Sequence, residues 1–330
     1  MRLADIDYQL PPERIAQHPI EPRDAARLLV DRGSAAPEHR HVRDLPELLG
    51  EGDLVVVNDS KVIPARLQLQ RDSGGASEVL LLEALDDERR TWEALVRPAR
   101  KLRVGEVLLA GGEPAVEVGG RTEAGDTFTV TVLGEDDPLV TLDRLGQMPL
   151  PPYITAPLGR PDRYQTVYAN APGSAAAPTA GLHLTPAVLD QLDVARVELL
   201  VGLDTFKPVS VADPRRHVIH SERYRVPADV MERARAAKRV VAVGTTSVRA
   251  LESAAAGPLS GRTRLFIHRP YDWRVVDVMM TNFHLPRTTL LLMIDAFVGE
   301  RWRRLYDTAL AEDYRFLSFG DAMLLDRRAT

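Results

Sequence analysis

The segment EVLLLEALDDERRTWEALVR, residues 78–97, holds two short runs of β-forming residues separated by a charged turn. Similar runs recur through residues 67–146 at roughly ten-residue spacing, with Gly, Asp and Glu between them. Short, evenly spaced strands with turn residues between them are typical of a small antiparallel barrel or sandwich. The segment therefore indicates an all-β module within the chain.

The sequence on either side of this module has a different, mixed texture. Three runs have the character of buried strands: GDLVVVNDS, VARVELLVG and RVVAVG. Two others, PADVMERARAAKR and SVRALESAAA, have helical spacing. We therefore predict an α/β protein with a mixed α/β main domain made of residues 1–66 and 147–330. A small antiparallel β-barrel domain, residues 67–146, is expected to be inserted into it.

Composition narrows the class of protein. The chain has 330 residues and is 45% apolar, which is enough for one large or two ordinary domains. It contains no cysteine, so disulfides, thiolate metal sites and a Cys nucleophile are excluded. Charges interrupt the apolar runs, and no stretch reads as a signal peptide or membrane span. We expect a cytoplasmic protein that makes no membrane contact and is a monomer.

Charge gives one candidate surface for a polyanion. The formal net charge of −5 argues against wholesale coating of nucleic acid but permits a local basic face. RPARKLR, residues 97–103, places four basic groups in seven residues. The alternative is an ordinary solvated loop or edge strand, because clustered charge is usually only surface.

RVVAVGTTSVRALES, residues 239–253, has an apolar run that ends at Gly244. Two threonines follow, and the helical pattern begins near Ser247, so free N–H groups would point out from the end of a strand. Such an edge binds anions or polar ligand groups. Arg249 is expected in the first turn, where a cation opposes the helix dipole. The alternative is an ordinary loop with a Thr or Ser cap.

HVIHSERY, residues 217–224, brings two histidines and a glutamate close together in sequence. On a helix, His217 and His220 would share a face and could bind a metal. In a strand, His220 and Glu222 would share a face and could act as an acid and base pair. The following PADV resembles the start of a helix, so the residues before it are expected to be extended. A purely structural role for the two histidines stays open.

Two further stretches carry polar groups in non-periodic surroundings. In TNFHLP, Asn282 and His284 precede an apolar helix, so they either cap its backbone or face a site. In AAPTAGLHLT, Thr179 either caps a helix or holds a ligand against the backbone, and His183 is either a satisfied core residue or functional. Familiar nucleotide, nucleophile and zinc signatures such as GxGxxG, GxSxG and HExxH are missing, so these residues alone name no reaction.

Taken in order, these stretches resemble the S-adenosylmethionine:tRNA ribosyltransferase-isomerase family of queuosine biosynthesis. The resemblance runs nearly end to end, and nine stretches carry it: DYQLPPERIAQHPIEPRDAARLLV, GDLVVVNDSKVIPARL, MPLPPYI, YQTVYA, AAPTAGLH, HSE, AVGTTSVRALES, TNFHLP and YRFLSFGDAM. The family's fold, an α/β domain with an inserted β-barrel, agrees with the architecture predicted above.

The resemblance implies a reaction and its substrates. Family members transfer and isomerise the ribosyl part of S-adenosylmethionine onto the aminomethyl group of 7-aminomethyl-7-deazaguanine in a tRNA anticodon stem-loop. S-adenosylmethionine is the ribosyl donor, adenine and methionine are released, the product is epoxyqueuosine, and no metal is expected. The main domain would then carry the active site.

Roles for individual residues follow from the same resemblance. His220, Glu222, His183 and Thr179 are the candidates for acid, base and orienting roles. The candidates for binding the donor are Gly244, Thr245, Thr246, Ser247, Arg249, Asn282 and His284.

The chain departs from the family pattern at several positions. Leu200 stands where a His is usual, Asp204 where a Gly is usual, and Ala76 where a Lys is usual. His268, Arg269 and Pro270 replace a Tyr-Pro-Gly run, and Asp295 replaces a small residue. Two alternatives therefore stay open: the same donor chemistry on a small acceptor such as a free 7-deazapurine, or a non-catalytic relative that binds nucleoside or RNA.

Overall fold

The computed structural model describes residues 1–122, 125–202, 209, 211–219 and 221–329. The chain forms two compact units. Unit 1 comprises Met1–Ser60, Pro152–Asn170 and Pro178–Thr330, and unit 2 comprises Lys61–Pro151 and Ala171–Ala177.

Eighteen strands and seven α-helices lie in the described part of the chain. The strands are β1 Arg27–Val30, β2 Glu38–His41, β3 Asp53–Asn58, β4 Ser60–Val62, β5 Arg66–Arg71, β6 Ala76–Ala84, β7 Thr91–Arg97, β8 Val107–Ala110, β9 Glu113–Arg121, β10 Phe128–Val132, β11 Gly146–Gln147, β12 Ala171–Ser174, β13 Val194–Leu199, β14 Glu222–Arg225, β15 Arg239–Val243, β16 Ser260–Thr263, β17 Val278–Asn282 and β18 Ala322–Asp326. The helices are α1 Leu45–Leu48, α2 Pro138–Leu145, α3 Pro186–Leu189, α4 Ala228–Ala236, α5 Gly244–Ala256, α6 Thr289–Val298 and α7 Arg301–Ala311.

Unit 1 is built on a mixed sheet of nine described strands in the order β16-β14-β13-β3-β15-β17-β18-β1-β2. The four central strands, β13, β3, β15 and β17, run parallel to one another. β3, β15 and β17 are mainly apolar and buried, as expected for strands covered on both faces, whereas β13 carries the exposed Arg196. β3 and β15, for example, are buried almost throughout. All four parallel strands therefore end at one edge of the sheet.

A core on one face of this sheet is formed by alternate residues of the central strands. Val55 and Val57 of β3 pack there with Val241 and Val243 of β15 and with Met280 of β17. Side chains two positions apart along a strand share a face, so Asn282 continues the row begun by Met280. The side chain of Thr281 accordingly projects towards the other face.

Unit 2 is a closed barrel. Its sheet runs in the order β11-β5-β6-β7-β10-β9-β8, and an additional antiparallel pairing of β5 with β8 closes six of these strands into a ring. Inward positions alternate with outward ones, as in β7, where Trp92, Ala94 and Val96 are buried and their neighbours are not. The α/β class with a small antiparallel β-barrel, predicted from strand spacing, is therefore confirmed.

Among the described residues, no helix is both long enough and apolar enough to cross a membrane.

Candidate active site at the carboxyl ends of the parallel strands

Polar residues converge where three parallel strands end. Asn58 is the last residue of β3, Gly244 follows β15, and Asn282 ends β17. In open α/β sheets, ligands bind outside the carboxyl ends of such strands. The side chain of Asn58 is fully buried and ties β3 to β13, because Nδ2 donates to the Leu199 carbonyl at 2.9 Å and Oδ1 accepts from Leu199 N at 3.1 Å. Sequence reasoning passed over Asn58, although it lies in a stretch that resembles the family.

The turn from β15 into α5 is tighter than the sequence predicted. The helix begins at Gly244 and not near Ser247, because Gly244 has a φ of +84° and lets the chain pass from strand to helix without a loop. Val243, at the cap position, makes no side-chain cap, and the Ser247 hydroxyl donates back to the Val243 carbonyl at 2.7 Å. The N–H groups of the first turn therefore lack a side-chain cap, as an anion site requires.

The hydroxyl of Thr246 adds a second polar group at this helix start. Thr245 and Thr246 are both buried, and Thr246 Oγ1 has no hydrogen-bond partner among the described residues. A buried hydroxyl without a partner costs free energy, so its presence points to a polar ligand group at this position.

Thr179, Asn282 and His183 form one hydrogen-bonded array. Thr179 Oγ1 donates to Asn282 Oδ1 at 3.2 Å, and Asn282 Nδ2 lies 2.9 Å from His183 Nε2. Asn282 Nδ2 also faces the Leu317 carbonyl at 3.2 Å, which can only accept, so the amide orientation is fixed. Because Asn282 donates to Nε2, the proton of a neutral His183 sits on Nδ1.

His183 is neutral at ordinary pH. Burial, assisted by the nearby Arg315 and Arg23 cations, lowers the pKa of His183 to about 4. Its ring is 4% exposed and lines a cavity of about 10 Å³, together with Arg23, Arg163 and Ser318. That volume is close to the space of one water molecule. The array can therefore orient a ligand by hydrogen bonds but does not carry a cationic imidazole.

The segment AAPTAGLHLT makes a tight bend in which Gly181 packs closely against Tyr168 and Thr166. Thr179–His183 is a 3₁₀ helix, and a Cβ on Gly181 would overlap the Tyr168 hydroxyl and lie 3.1 Å from Thr166 Cγ2. A Cβ built on Gly244 would lie 3.6 Å from Ala180 Cβ, so this bend packs directly against the start of α5. Thr179 does not cap a helix; Thr185 caps α3 instead.

Glu222 and Arg249 form a buried ion pair. Arg249 Nη1 forms an ion pair with Glu222 Oε2, while Glu222 Oε1 accepts a hydrogen bond from Gly202 N at 3.2 Å. Arg249 lies in the second turn of α5 and not in the first, since the helix begins early. Its Nε donates to the Leu265 carbonyl at 3.1 Å, and its Nη2 has no hydrogen-bond partner among the described residues.

Arg249 remains a cation although it is buried. Burial lowers the pKa of Arg249 to about 10, which is still well above neutral pH. A buried guanidinium with one unused N–H group is a ready partner for a ligand carboxylate.

His284 lies apart from this array. Its Nε2 is 2.9 Å from Thr281 Oγ1, and burial lowers its pKa to about 3. Its backbone N–H donates to Tyr306 Oη at 3.0 Å, and its carbonyl accepts from the Tyr8 hydroxyl. The structure therefore brings Thr179, His183 and Asn282 together but places the His284 ring among core groups on the Thr281 side.

Two sequence candidates lie outside the described residues, namely His220 and the substituted Asp204. Glu222 lies in β14, so the predicted extended conformation holds from that residue onward. The neighbours that sequence reasoning missed come from stretches that carry the family resemblance: Arg23 from the first, and Arg315, Leu317 and Ser318 from the last.

Comparison with known proteins defines the class to which this arrangement belongs. The sequence profile of the family described as "Queuosine biosynthesis protein" matches residues 3–325. The chain therefore belongs to this family.

Individual relatives carry a more specific name. Proteins named S-adenosylmethionine:tRNA ribosyltransferase-isomerase include one from Symbiobacterium thermophilum, 50% identical over 98% of this chain and 100% of its own. Another, from Thermus thermophilus, is 49% identical over 97% of this chain and 98% of its own. A crystal structure of S-adenosylmethionine tRNA ribosyltransferase from Thermotoga maritima is 36% identical, with a TM-score of 0.54, and covers 97% of this chain and 99% of that one.

Proposed function

We propose that this chain is a transferase and isomerase that moves the ribosyl part of S-adenosylmethionine onto a 7-aminomethyl-7-deazaguanine base in a tRNA anticodon. The reaction would release adenine and methionine and leave epoxyqueuosine in the tRNA. The names of relatives about half identical over nearly the whole chain support this proposal. Among the observations on the structure, the buried Arg249 with its unused Nη2 carries it furthest.

The start of α5 suits the amino-acid end of the donor. S-adenosylmethionine carries a carboxylate, and Arg249 supplies a buried cation for it. The N–H groups of Gly244, Thr245 and Thr246 and the free Thr246 hydroxyl supply further donors. Ser247 fixes the turn by its bond to the Val243 carbonyl. These groups bind the donor and exclude water from the side where its charge lies.

The array at the end of β17 suits an orienting role. Thr179 fixes Asn282, and Asn282 fixes the ring of His183 with its proton on Nδ1. A neutral imidazole can donate one hydrogen bond towards adenine or ribose without adding charge. We propose that Asn282 and His183 position the nucleoside part of the donor in this way.

The segment around β14 contains the residues that we propose for acid and base chemistry. The reaction needs a base near the sulfonium and a proton for the leaving adenine. We propose Glu222 and His220 for these steps, with the Arg249 cation holding the Glu222 carboxylate in place. No step in this scheme uses a metal.

The experiment that tests the proposal compares two acceptors under identical conditions. S-adenosylmethionine is incubated with the protein and either tRNA that bears the aminomethyl-deazaguanine or the free base, and released adenine is quantified by chromatography. Adenine release with the tRNA alone supports the proposal. Release with the free base alone would replace the tRNA by a small acceptor, and no release with either would indicate a non-catalytic relative.

A further inference from the structure

Basic side chains gather on one loop of the barrel unit. Arg97 ends β7, and Arg100, Lys101 and Arg103 follow in the connection to β8; all four are exposed. Unit 2 as a whole has eleven basic against sixteen acidic residues. The cluster is therefore a local departure from an acidic background, and not one part of a generally basic surface.

Two acidic residues beside this cluster, Glu78 and Glu106, are already engaged by other cations. Glu78, which lies opposite Arg97 in the β6–β7 pairing, is bonded by Arg66 Nη1 at 3.0 Å. Glu106 is bonded by Arg71 through Nε at 2.6 Å and Nη2 at 3.1 Å. None of the four loop cations forms an ion pair with a described residue. Their charges remain available to a partner.

The same Arg71–Glu106 pair holds the loop backbone in place. Arg71 Nη2 donates to the Lys101 carbonyl at 2.8 Å, and Arg103 N donates to Glu106 Oε2 at 3.0 Å. A further backbone bond joins Lys101 N to the Pro98 carbonyl at 3.0 Å. The loop is therefore braced from beneath, so its cations do not have to order a flexible segment when they bind.

We infer that this loop, residues 97–103, is a docking surface for the phosphate backbone of the RNA substrate. The inference rests on the proposed function, which supplies the RNA. Several unpaired cations on a braced loop match a polyanion better than a single charged group. Lys and Arg contacts to phosphates add affinity without reading base sequence. The barrel unit would thus contribute RNA affinity and leave the chemistry to unit 1.

The test is the salt dependence of RNA binding. The probe is an unmodified tRNA anticodon stem-loop, titrated by fluorescence anisotropy at several salt concentrations. The slope of log K against log salt is negative, and each lost phosphate contact reduces its magnitude by about 0.7–0.9. The variant Arg100→Ala/Lys101→Ala/Arg103→Ala should therefore reduce the magnitude of the slope by about two units and weaken binding at least tenfold at low salt.

Two matched single variants distinguish the loss of a cation on the loop from the loss of a cation elsewhere on unit 2. Arg103→Ala and Arg144→Ala each remove one exposed cation from unit 2, but Arg144 lies on α2 and not on the loop. Arg103→Ala should reduce the magnitude of the slope, and Arg144→Ala should leave the slope unchanged. Equal effects of the two variants would overturn the inference. Thermal unfolding and S-adenosylmethionine affinity should match the unsubstituted protein in all variants.

The outcomes also separate this inference from the proposed function. If the unsubstituted protein binds the stem-loop with a steep salt slope and the triple variant binds equally well, the loop is not the docking surface and the tRNA proposal stands. If the unsubstituted protein shows no salt-dependent binding, both proposals are overturned.

Discussion

Arg269 and Asp295 form a bidentate ion pair, in which Nε and Nη2 of Arg269 each lie 2.9 Å from a carboxylate oxygen of Asp295. Asp295 is 1% exposed and also accepts from Trp302 Nε1 at 3.2 Å. Both residues are among the positions at which the sequence was predicted to differ from the family pattern, and the structure pairs them with each other. Asp295 is buried in unit 1, whereas the Arg269 side chain is 42% exposed, so the pair joins a buried carboxylate to a cation at the surface.

This pairing predicts strong coupling between the two positions. Arg269→Ala leaves a buried carboxylate without its cation and should lower the free energy of unfolding by about 2–3 kcal/mol. Adding Asp295→Ala removes the stranded charge, so the double variant should be more stable than Arg269→Ala alone. Urea unfolding of the two single variants and the double variant measures the coupling. Strictly additive losses would show that the pair does not act as a unit.

Close packing at Gly181 predicts a second coupled pair. Gly181→Ala inserts a methyl group against the Tyr168 hydroxyl and should cost about 1–3 kcal/mol of stability. Tyr168 Oη is buried without a hydrogen-bond partner among the described residues, so Tyr168→Phe should be neutral or slightly stabilising. The double variant should recover part of the loss. Thermal unfolding checks this, and a Gly181→Ala protein of unchanged stability would rule out the overlap.

Arg249 is predicted to determine donor affinity. Arg249→Lys keeps the charge but loses the guanidinium fork, and should weaken S-adenosylmethionine binding about tenfold or more. Glu222→Gln keeps the size of the side chain but removes the charge paired with Arg249, so turnover should fall, and thermal unfolding measures the stability lost with the ion pair. Calorimetric titration gives the affinity and adenine release gives the turnover. An unaltered affinity of Arg249→Lys for S-adenosylmethionine would show that Arg249 and the start of α5 have a structural role only.

Stability should fall in acid because His183 is buried as a neutral ring. Its pKa is about 4 in the folded protein, against an ordinary 6.5 when unfolded. Above 6.5 both states are neutral, whereas between 6.5 and 4 only the unfolded state binds the proton, so stability is lost as the pH falls through this window. The loss from this residue is of the order of 2–3 kcal/mol.

His183→Asn isolates that contribution, because every other titrating group is common to both proteins. Between pH 7 and pH 4.5, urea unfolding should show a smaller loss of stability for His183→Asn than for the unsubstituted protein. Parallel pH profiles would mean that His183 is not held neutral by burial.

Much of this architecture could be predicted from local sequence patterns. The barrel could be predicted because its short strands recur at roughly ten-residue spacing with turn residues between them. The start of α5 was misplaced, because a single glycine at φ +84° removes the loop that the sequence rule assumes. The burial of the His284 ring could not be predicted from the sequence either. The ring contacts Thr281, whose side chain projects from the face of the sheet opposite to that of Asn282.

The site is less predictable than the fold, since its contacts join distant segments. Asn282 meets His183 at a separation of 99 residues, and Thr179 at 103. Each residue was singled out for its own surroundings, but no local pattern states that they form one array. The Glu222–Arg249 pair was likewise invisible, because it depends on how β14 and α5 meet in space.

We propose that one site couples cleavage of S-adenosylmethionine to modification of a tRNA base. The most direct measurement is mass spectrometry of a reaction that contains the protein, S-adenosylmethionine and tRNA bearing the aminomethyl-deazaguanine, with free adenine and the digested nucleosides quantified together. If the two steps are coupled, adenine and the mass-shifted nucleoside form in equal amounts. Adenine that accumulates while the tRNA nucleoside keeps its original mass would contradict it.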